Sequence, residues 1–155
     1  MQFKRNHLQS LLGGILLLFS IGLALIDYNS ILEPESIQRF IDYSILLFIS
    51  RWSIYFLLFL AGLTAFFQSK STNLFLLIFS LTSLLEIYVN ENYYIIKSLE
   101  DYQISILGIL AVIGFLIATI NLLKVQRLKL SGIFLSMLLS ITLVYLPNAL
   151  ITFYF

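Results

Sequence analysis

The feature that most constrains this sequence is a series of five apolar segments, each approaching 20 residues in length. The hydrocarbon core of a bilayer is about 30 Å thick, and a helix needs roughly 20 mostly apolar residues to cross it. The polar–apolar alternation that the strands of a membrane barrel require is missing. The sequence therefore predicts an all-α, polytopic integral membrane protein with one transmembrane domain over residues 1–155. The predicted spans are residues 11–26, 48–67, 73–89, 104–123 and 131–153.

The composition indicates the same class of protein. Hydrophobic side chains make up 60% of the 155 residues and charged side chains 11%, whereas soluble domains carry about 25% charged residues. Too little polar surface remains to cover a water-facing globule. A formal net charge of +1 offers no basic field to attract nucleic acid. Composition thus excludes a soluble enzyme, a nucleic-acid binder and a disordered regulator, and the lipid bilayer is the expected partner.

The first apolar segment has two interpretations. Lys4 and Arg5 precede it, and Gly22 with Ala24 could form a small-residue cleavage site, as in a secretory signal peptide. That interpretation would leave four spans in the mature protein. The apolar run is long for a signal peptide, so a retained span is favoured, and we expect a compact bundle of about five helices.

The distribution of charge predicts the orientation in the membrane, because Lys and Arg accumulate in cytoplasmic loops. With alternating spans, one side carries only basic residues, namely Lys4, Arg5, Lys70, Lys124, Arg127 and Lys129. The other side carries most of the acidic residues, namely Asp27, Glu33, Glu35, Asp42, Glu91, Glu100 and Asp101. We therefore expect a cytoplasmic N-terminus and an external C-terminus, in a cell membrane or an inner membrane.

An amphipathic helix is predicted on the outer face over residues 34–47. Apolar side chains recur at four-residue intervals at Ile37, Ile41 and Ile45, and polar side chains occupy the other face. Pro34 suits the first turn of a helix. Such a helix is expected to lie in the plane of the membrane interface.

Two ionisable residues, Arg51 and Glu86, fall inside predicted spans, where charge is costly and marks a functional site by default. Both lie about 20–24 Å outward from the inner ends of their spans, at 1.5 Å per residue. A short loop joins the two helices, so we predict that Arg51 and Glu86 face each other as an ion pair. The pair either locks two helices together or lines an outer-leaflet pocket with Tyr55, Tyr145 and Asn148.

Small side chains form a stripe on the fourth span, at Gly108, Ala111, Gly114 and Ala118. Such stripes let helices approach closely in lipid. A weaker equivalent occurs on the first span, at Ser10, Gly14, Ser20 and Ala24. These faces are predicted to pack within the chain, on another membrane protein, or on a second copy.

A catalytic constellation is not recognisable in the sequence. The chain has no cysteine, and its single histidine, His7, lies on the inner side. It therefore lacks the residues that a thiolate, haem or Ser-His site would need. Glu100 and Asp101 form a weak candidate for an acidic metal site, and ordinary solvated loop charges are favoured over it. We expect no cofactor and no metal.

These observations favour a non-enzymatic accessory, assembly or scaffold subunit of a membrane complex. The alternative is a protein that binds or transports a lipid or small amphiphile through the outer-leaflet pocket around Arg51 and Glu86. A membrane-embedded enzyme ranks third.

Overall fold

The computed structural model describes residues 2–31, 45–92 and 99–154, and these residues form five long helices. The helices are α1 (Gln2–Ile31), α2 (Ile45–Phe66), α3 (Thr72–Asn92), α4 (Asp101–Ile120) and α5 (Leu130–Tyr154). Each contains a stretch that is long and apolar enough to cross a membrane. The predicted all-α fold with five such helices is confirmed. Most of the predicted surface helix at 34–47 lies outside the described residues.

Helices α2 and α3 form the centre of the bundle. Helix α1 packs on α2, α4 packs on α3, and α5 packs on both α2 and α3. Thr82 of α3 donates to Ser140 of α5 over 3.0 Å, and a Cβ on Gly132 would lie 3.5 Å from Leu74. The later residue of α3 contacts the later residue of α5, and the earlier residue contacts the earlier one, so α5 runs parallel to α3.

Successive helices run in opposite directions, so the connecting segments fall at two ends of the bundle. The basic end contains the connectors 67–71 and 121–129, which have no acidic residue and carry Lys70, Lys124, Arg127 and Lys129. The opposite, acidic end carries all the acidic residues of the described part of the chain, namely Asp27, Glu86, Glu91, Glu100 and Asp101.

A glycine contact brings α1 and α2 close together. A Cβ on Gly13 would lie 2.6 Å from the Cα of Phe66 and 2.7 Å from the carbonyl oxygen of Gly62. Real Cβ atoms do not approach backbone so closely, and only glycine fits there. Gly14, by contrast, faces open space. Gly14 therefore makes no close contact with α2, and the preceding glycine does; packing of Gly14 on another protein or on a second copy stays a prediction.

The small-residue stripe of α4 lies in the interface with α3. Ala111 and Ala118 are buried, and a Cβ on Gly114 would lie 2.7 Å from the Oγ of Ser80. Gly108 is less tightly enclosed, since its nearest neighbour would be 3.7 Å from an added Cβ. Three of the four stripe positions thus serve packing within the chain.

Side-chain amides order the connector between α4 and α5. The last turn of α4 ends at Asn121, whose φ of 53° is left-handed, a conformation that asparagine tolerates better than most residues. The Nδ2 group of Asn73 donates to Oδ1 of Asn121 over 2.7 Å and to the carbonyl of Gln126 over 3.1 Å. The start of α3 therefore fixes the path of this connector at the basic end.

Candidate functional site at the acidic end

Polar and aromatic side chains from four helices meet near the acidic end. We call this group the acidic-end cluster. Its members are Asp27 of α1, Ser50, Arg51, Trp52 and Tyr55 of α2, Glu86 of α3 and Gln103 of α4. Apart from Arg51 and Trp52, each member is no more than 2% exposed. Buried polar groups as a rule have hydrogen-bond partners, and several in this cluster have theirs on a neighbouring helix.

Asp27 connects α1 to α2 through two donors. The Nε atom of Arg51 lies 3.0 Å from Oδ2 of Asp27, and the indole Nε1 of Trp52 donates to the same oxygen over 3.0 Å. The Nε atom of Arg51 contacts this oxygen as an ion pair and makes no hydrogen bond with it. The Asp27 side chain is 2% exposed and that of Arg51 is 20% exposed, so the pair lies at the margin of the bundle.

Glu86 connects α3 to α2. Its Oε2 accepts a hydrogen bond from Ser50 over 2.9 Å, and the residue is fully buried. Since Ser50 directly precedes Arg51, Glu86 lies at the same level of the bundle as the Asp27–Arg51 pair. An ion pair between Arg51 and Glu86 stays a prediction.

Tyr55 connects three helices. Its carbonyl oxygen accepts from Ser20 of α1 over 2.8 Å, and its hydroxyl accepts from Nε2 of Gln103 over 3.0 Å. The other end of the Gln103 amide accepts from the backbone N–H of Glu100 over 2.9 Å. That bond caps the start of α4, so one amide both begins the helix and attaches it to α2.

The residues predicted to bind a ligand are only partly brought together. Arg51, Glu86 and Tyr55 belong to the acidic-end cluster. Tyr145 is exposed on α5, and the side chain of Asn148 lies outside the described part of the structure. A binding role for these five residues stays a prediction.

Four members of the cluster, Asp27, Ser50, Trp52 and Gln103, were not among the residues predicted to form a site. Asp27 follows the first apolar segment and was expected to be an outer-loop charge, whereas α1 continues past it to Ile31. A periodic signal was present, since Gly13, Ser20 and Asp27 recur every seven residues and all three contact α2. For Gln103 the signal was its position three residues after Glu100, the spacing of a helix capping box.

Open clefts occur at both ends of the described part of the bundle. A cleft of about 290 Å³ between α1 and α2 is lined by Ser20, Trp52 and Tyr55 together with apolar side chains. A cleft of about 430 Å³ lies toward the basic end, between α4 and α5. Arg51 and Glu86 line neither of these clefts.

The chemistry of the acidic-end cluster suits helix association better than catalysis. Both of its carboxylates are buried and receive donors from a neighbouring helix. In the described residues, no group of three His, Cys, Asp or Glu side chains could hold a metal ion.

Comparison of the chain with protein-family models, with curated proteins and with solved structures finds no match. Its function is therefore inferred from its own residues.

Proposed function

We propose that this chain is an integral membrane protein that crosses the bilayer five times, with its basic end in the cytoplasm. The length and apolar character of the five helices support the proposal. So do the large apolar side chains exposed on their outer faces, such as Phe134 at 69% and Leu18 at 73%. A protein in water would bury these side chains, whereas lipid covers them at no cost. In this orientation the N-terminus is cytoplasmic and the C-terminus is external.

Cysteine labelling tests both the membrane location and the orientation, because the natural chain has no cysteine. Lys70→Cys places one thiol at the basic end, and Glu91→Cys places one at the acidic end. Both positions are exposed. With a membrane-impermeant maleimide on intact cells, we expect labelling of Glu91→Cys alone. Labelling of Lys70→Cys should require permeabilisation. The reverse pattern would contradict the orientation, and recovery of the chain in the soluble fraction would contradict the membrane assignment.

We further propose that the protein acts without catalysis, as an accessory, assembly or scaffold subunit of a membrane complex. The observation that carries this proposal is that both carboxylates of the acidic-end cluster are buried and accept hydrogen bonds from a neighbouring helix. Glu86 is fully buried against Ser50, and Asp27 is held by Arg51 and Trp52. Charged groups that turn inward to join helices are typical of a structural role, whereas a substrate site needs a cavity that reaches them.

Purification from native membranes in a mild detergent tests the accessory role. We expect a second membrane protein, or a second copy of this chain, at a near-constant ratio through size-exclusion chromatography. Deletion of the chain should then lower the amount of that partner in the membrane, which random copurification would not do. A monomer without a stoichiometric partner would contradict the proposal.

Lipid or amphiphile binding near the acidic end is the second candidate function. The cleft between α1 and α2 favours it, because Trp52 and Tyr55 of the cluster form part of its wall. Trp52 is the only tryptophan of the chain, so its fluorescence reports on this cleft directly. Saturable quenching by a brominated-chain phospholipid, with competition from the unbrominated lipid, would support this function. Quenching in simple proportion to the mole fraction of brominated lipid would contradict it and leave the accessory role favoured.

A further inference from the structure

A cleft at the basic end separates α4 from α5. Both helices pack on α3, and the described residues show little direct contact between them. Leu77 and Leu81 of α3 form the floor of the cleft, Phe115 belongs to the α4 wall, and Ile133 and Met137 belong to the α5 wall. Its volume of about 430 Å³ falls within the range of pockets that hold small molecules, roughly 300–1,000 Å³.

The mouth of this cleft is polar and basic. Asn121 and Arg127, both from the connector between α4 and α5, line it together with Thr119. Arg127 is exposed, and the connectors at this end contain no acidic residue that could neutralise it. Because Asn73 fixes the connector through two hydrogen bonds, Arg127 is attached to an ordered segment of the chain.

We propose that this cleft binds an anionic phospholipid of the cytoplasmic leaflet, with an acyl chain against α3 and the phosphate at Arg127. An apolar groove alone would suit any lipid chain. The cation at its mouth can pair with a lipid phosphate through two parallel hydrogen bonds. It also adds a preference for a net negative headgroup, because a zwitterionic headgroup carries a cation of its own that opposes Arg127. Basic pockets between membrane helices on the cytoplasmic side commonly bind anionic headgroups. This inference rests on the proposed membrane location and orientation, and is independent of the accessory role.

Native mass spectrometry of the full chain in detergent tests the headgroup preference. The probes are phosphatidylglycerol and phosphatidylcholine with identical acyl chains. A single basic residue near the headgroups contributes about 1 kcal/mol, so we expect the first phosphatidylglycerol to bind about fivefold more tightly than phosphatidylcholine. Arg127→Gln should abolish the preference, whereas Lys70→Gln should retain it, because Lys70 is exposed at the same end but does not line the cleft.

A second pair of variants tests the acyl-chain groove. Thr119 lines the cleft, and its hydroxyl bonds to the carbonyl of Phe115 in its own helix. Thr142 of α5 is also exposed, bonds to its own helix in the same way, and lies away from the cleft. Thr119→Trp should fill the groove and weaken the first binding event about fivefold or more. Thr142→Trp should leave it unchanged.

Three results would overturn the inference. They are equal binding of the two lipids by the natural chain, equal loss of preference in Arg127→Gln and Lys70→Gln, and unchanged binding in Thr119→Trp. Circular dichroism and the elution volume show whether each variant is folded. Failure of the membrane assignment is seen separately, in the cysteine labelling and fractionation, so the two failures are distinguishable.

Discussion

Replacement of Gly13 by alanine is the sharpest test of how this bundle is held together. The added Cβ would lie 2.6 Å from the Cα of Phe66 and 2.7 Å from the carbonyl oxygen of Gly62. Both obstacles are backbone atoms of α2, and no rotamer change can remove them. The two helices must therefore separate by about 1 Å to restore normal van der Waals distances.

The free-energy cost of Gly13→Ala follows from that separation. Overpacking of a close contact typically costs about 1–3 kcal/mol. The hydrogen bond from Ser10 to the carbonyl of Phe66, now 3.1 Å, would lengthen beyond bonding distance, and an interhelical bond in a membrane protein contributes about 0.6 kcal/mol. Helix propensity favours alanine over glycine by about 1 kcal/mol at either position, so we expect the free energy of unfolding to fall by about 1–3 kcal/mol.

Reversible unfolding of the purified chain in mixed detergent micelles measures this change, followed by circular dichroism and by Trp52 fluorescence. Gly14→Ala is the matched control, because the same added methyl group enters open space on the same helix. We expect Gly14→Ala to change the free energy of unfolding by less than about 1 kcal/mol, with helix propensity favouring the variant. Equal stabilities of the two alanine variants would refute the close approach of α1 and α2.

Three further predictions use the same unfolding assay. Gly114→Ala should lower the free energy of unfolding by about 1–3 kcal/mol, because the added Cβ would lie 2.7 Å from the Ser80 hydroxyl. Ser80→Ala in the same chain should recover most of that loss. Additive effects of the two substitutions would contradict the contact. Asp27→Asn should cost about 1–3 kcal/mol, below the 3–5 kcal/mol of a fully buried pair, because its partner is 20% exposed. The exposed control Lys70→Gln should change the free energy of unfolding by less than about 0.5 kcal/mol. Gln103→Leu should lower the free energy of unfolding by about 1–2 kcal/mol, because it removes both the cap of α4 and the hydrogen bond to Tyr55 of α2. An unchanged free energy of unfolding would contradict both roles of Gln103.

The number and approximate positions of the helices could be predicted from the sequence, for a physical reason. In lipid the backbone must satisfy its own hydrogen bonds, so an apolar run of sufficient length has few alternatives to a helix. The second helix was predicted to begin near residue 48 and begins at Ile45. Helix ends were harder to predict, because hydropathy marks where apolar side chains stop rather than where the helix stops. For this reason Asp27 was predicted to lie after the first helix, whereas α1 continues to Ile31.

The face of α1 that packs on α2 was not identified from the sequence, although Gly13, Ser20 and Asp27 recur on it every seven residues. Gly13 and Gly14 are identical residues, about 100° apart around the same helix, and only the position of Gly62 on the facing helix decides which of them must remain small. The partners of the buried charges had the same uncertainty. Equal heights predict Arg51 opposite Glu86, which stays a prediction, and the structure shows Asp27 of α1 3.0 Å from Arg51, a contact that the sequence did not predict.

The contacts between helices also explain why the basic-end cleft exists. Between membrane helices the hydrophobic effect supplies no net drive, so close packing and polar contacts decide which helices adhere. Helix α1 makes both kinds of contact with α2: close packing at Gly13 and an ion pair at Asp27. Helices α4 and α5 each have such contacts with α3, through Gly114 and through Ser140 respectively. In the described part of the chain, no comparable contact joins α4 to α5. In the membrane location that we propose, a lipid could enter this gap without breaking a contact that holds the bundle together.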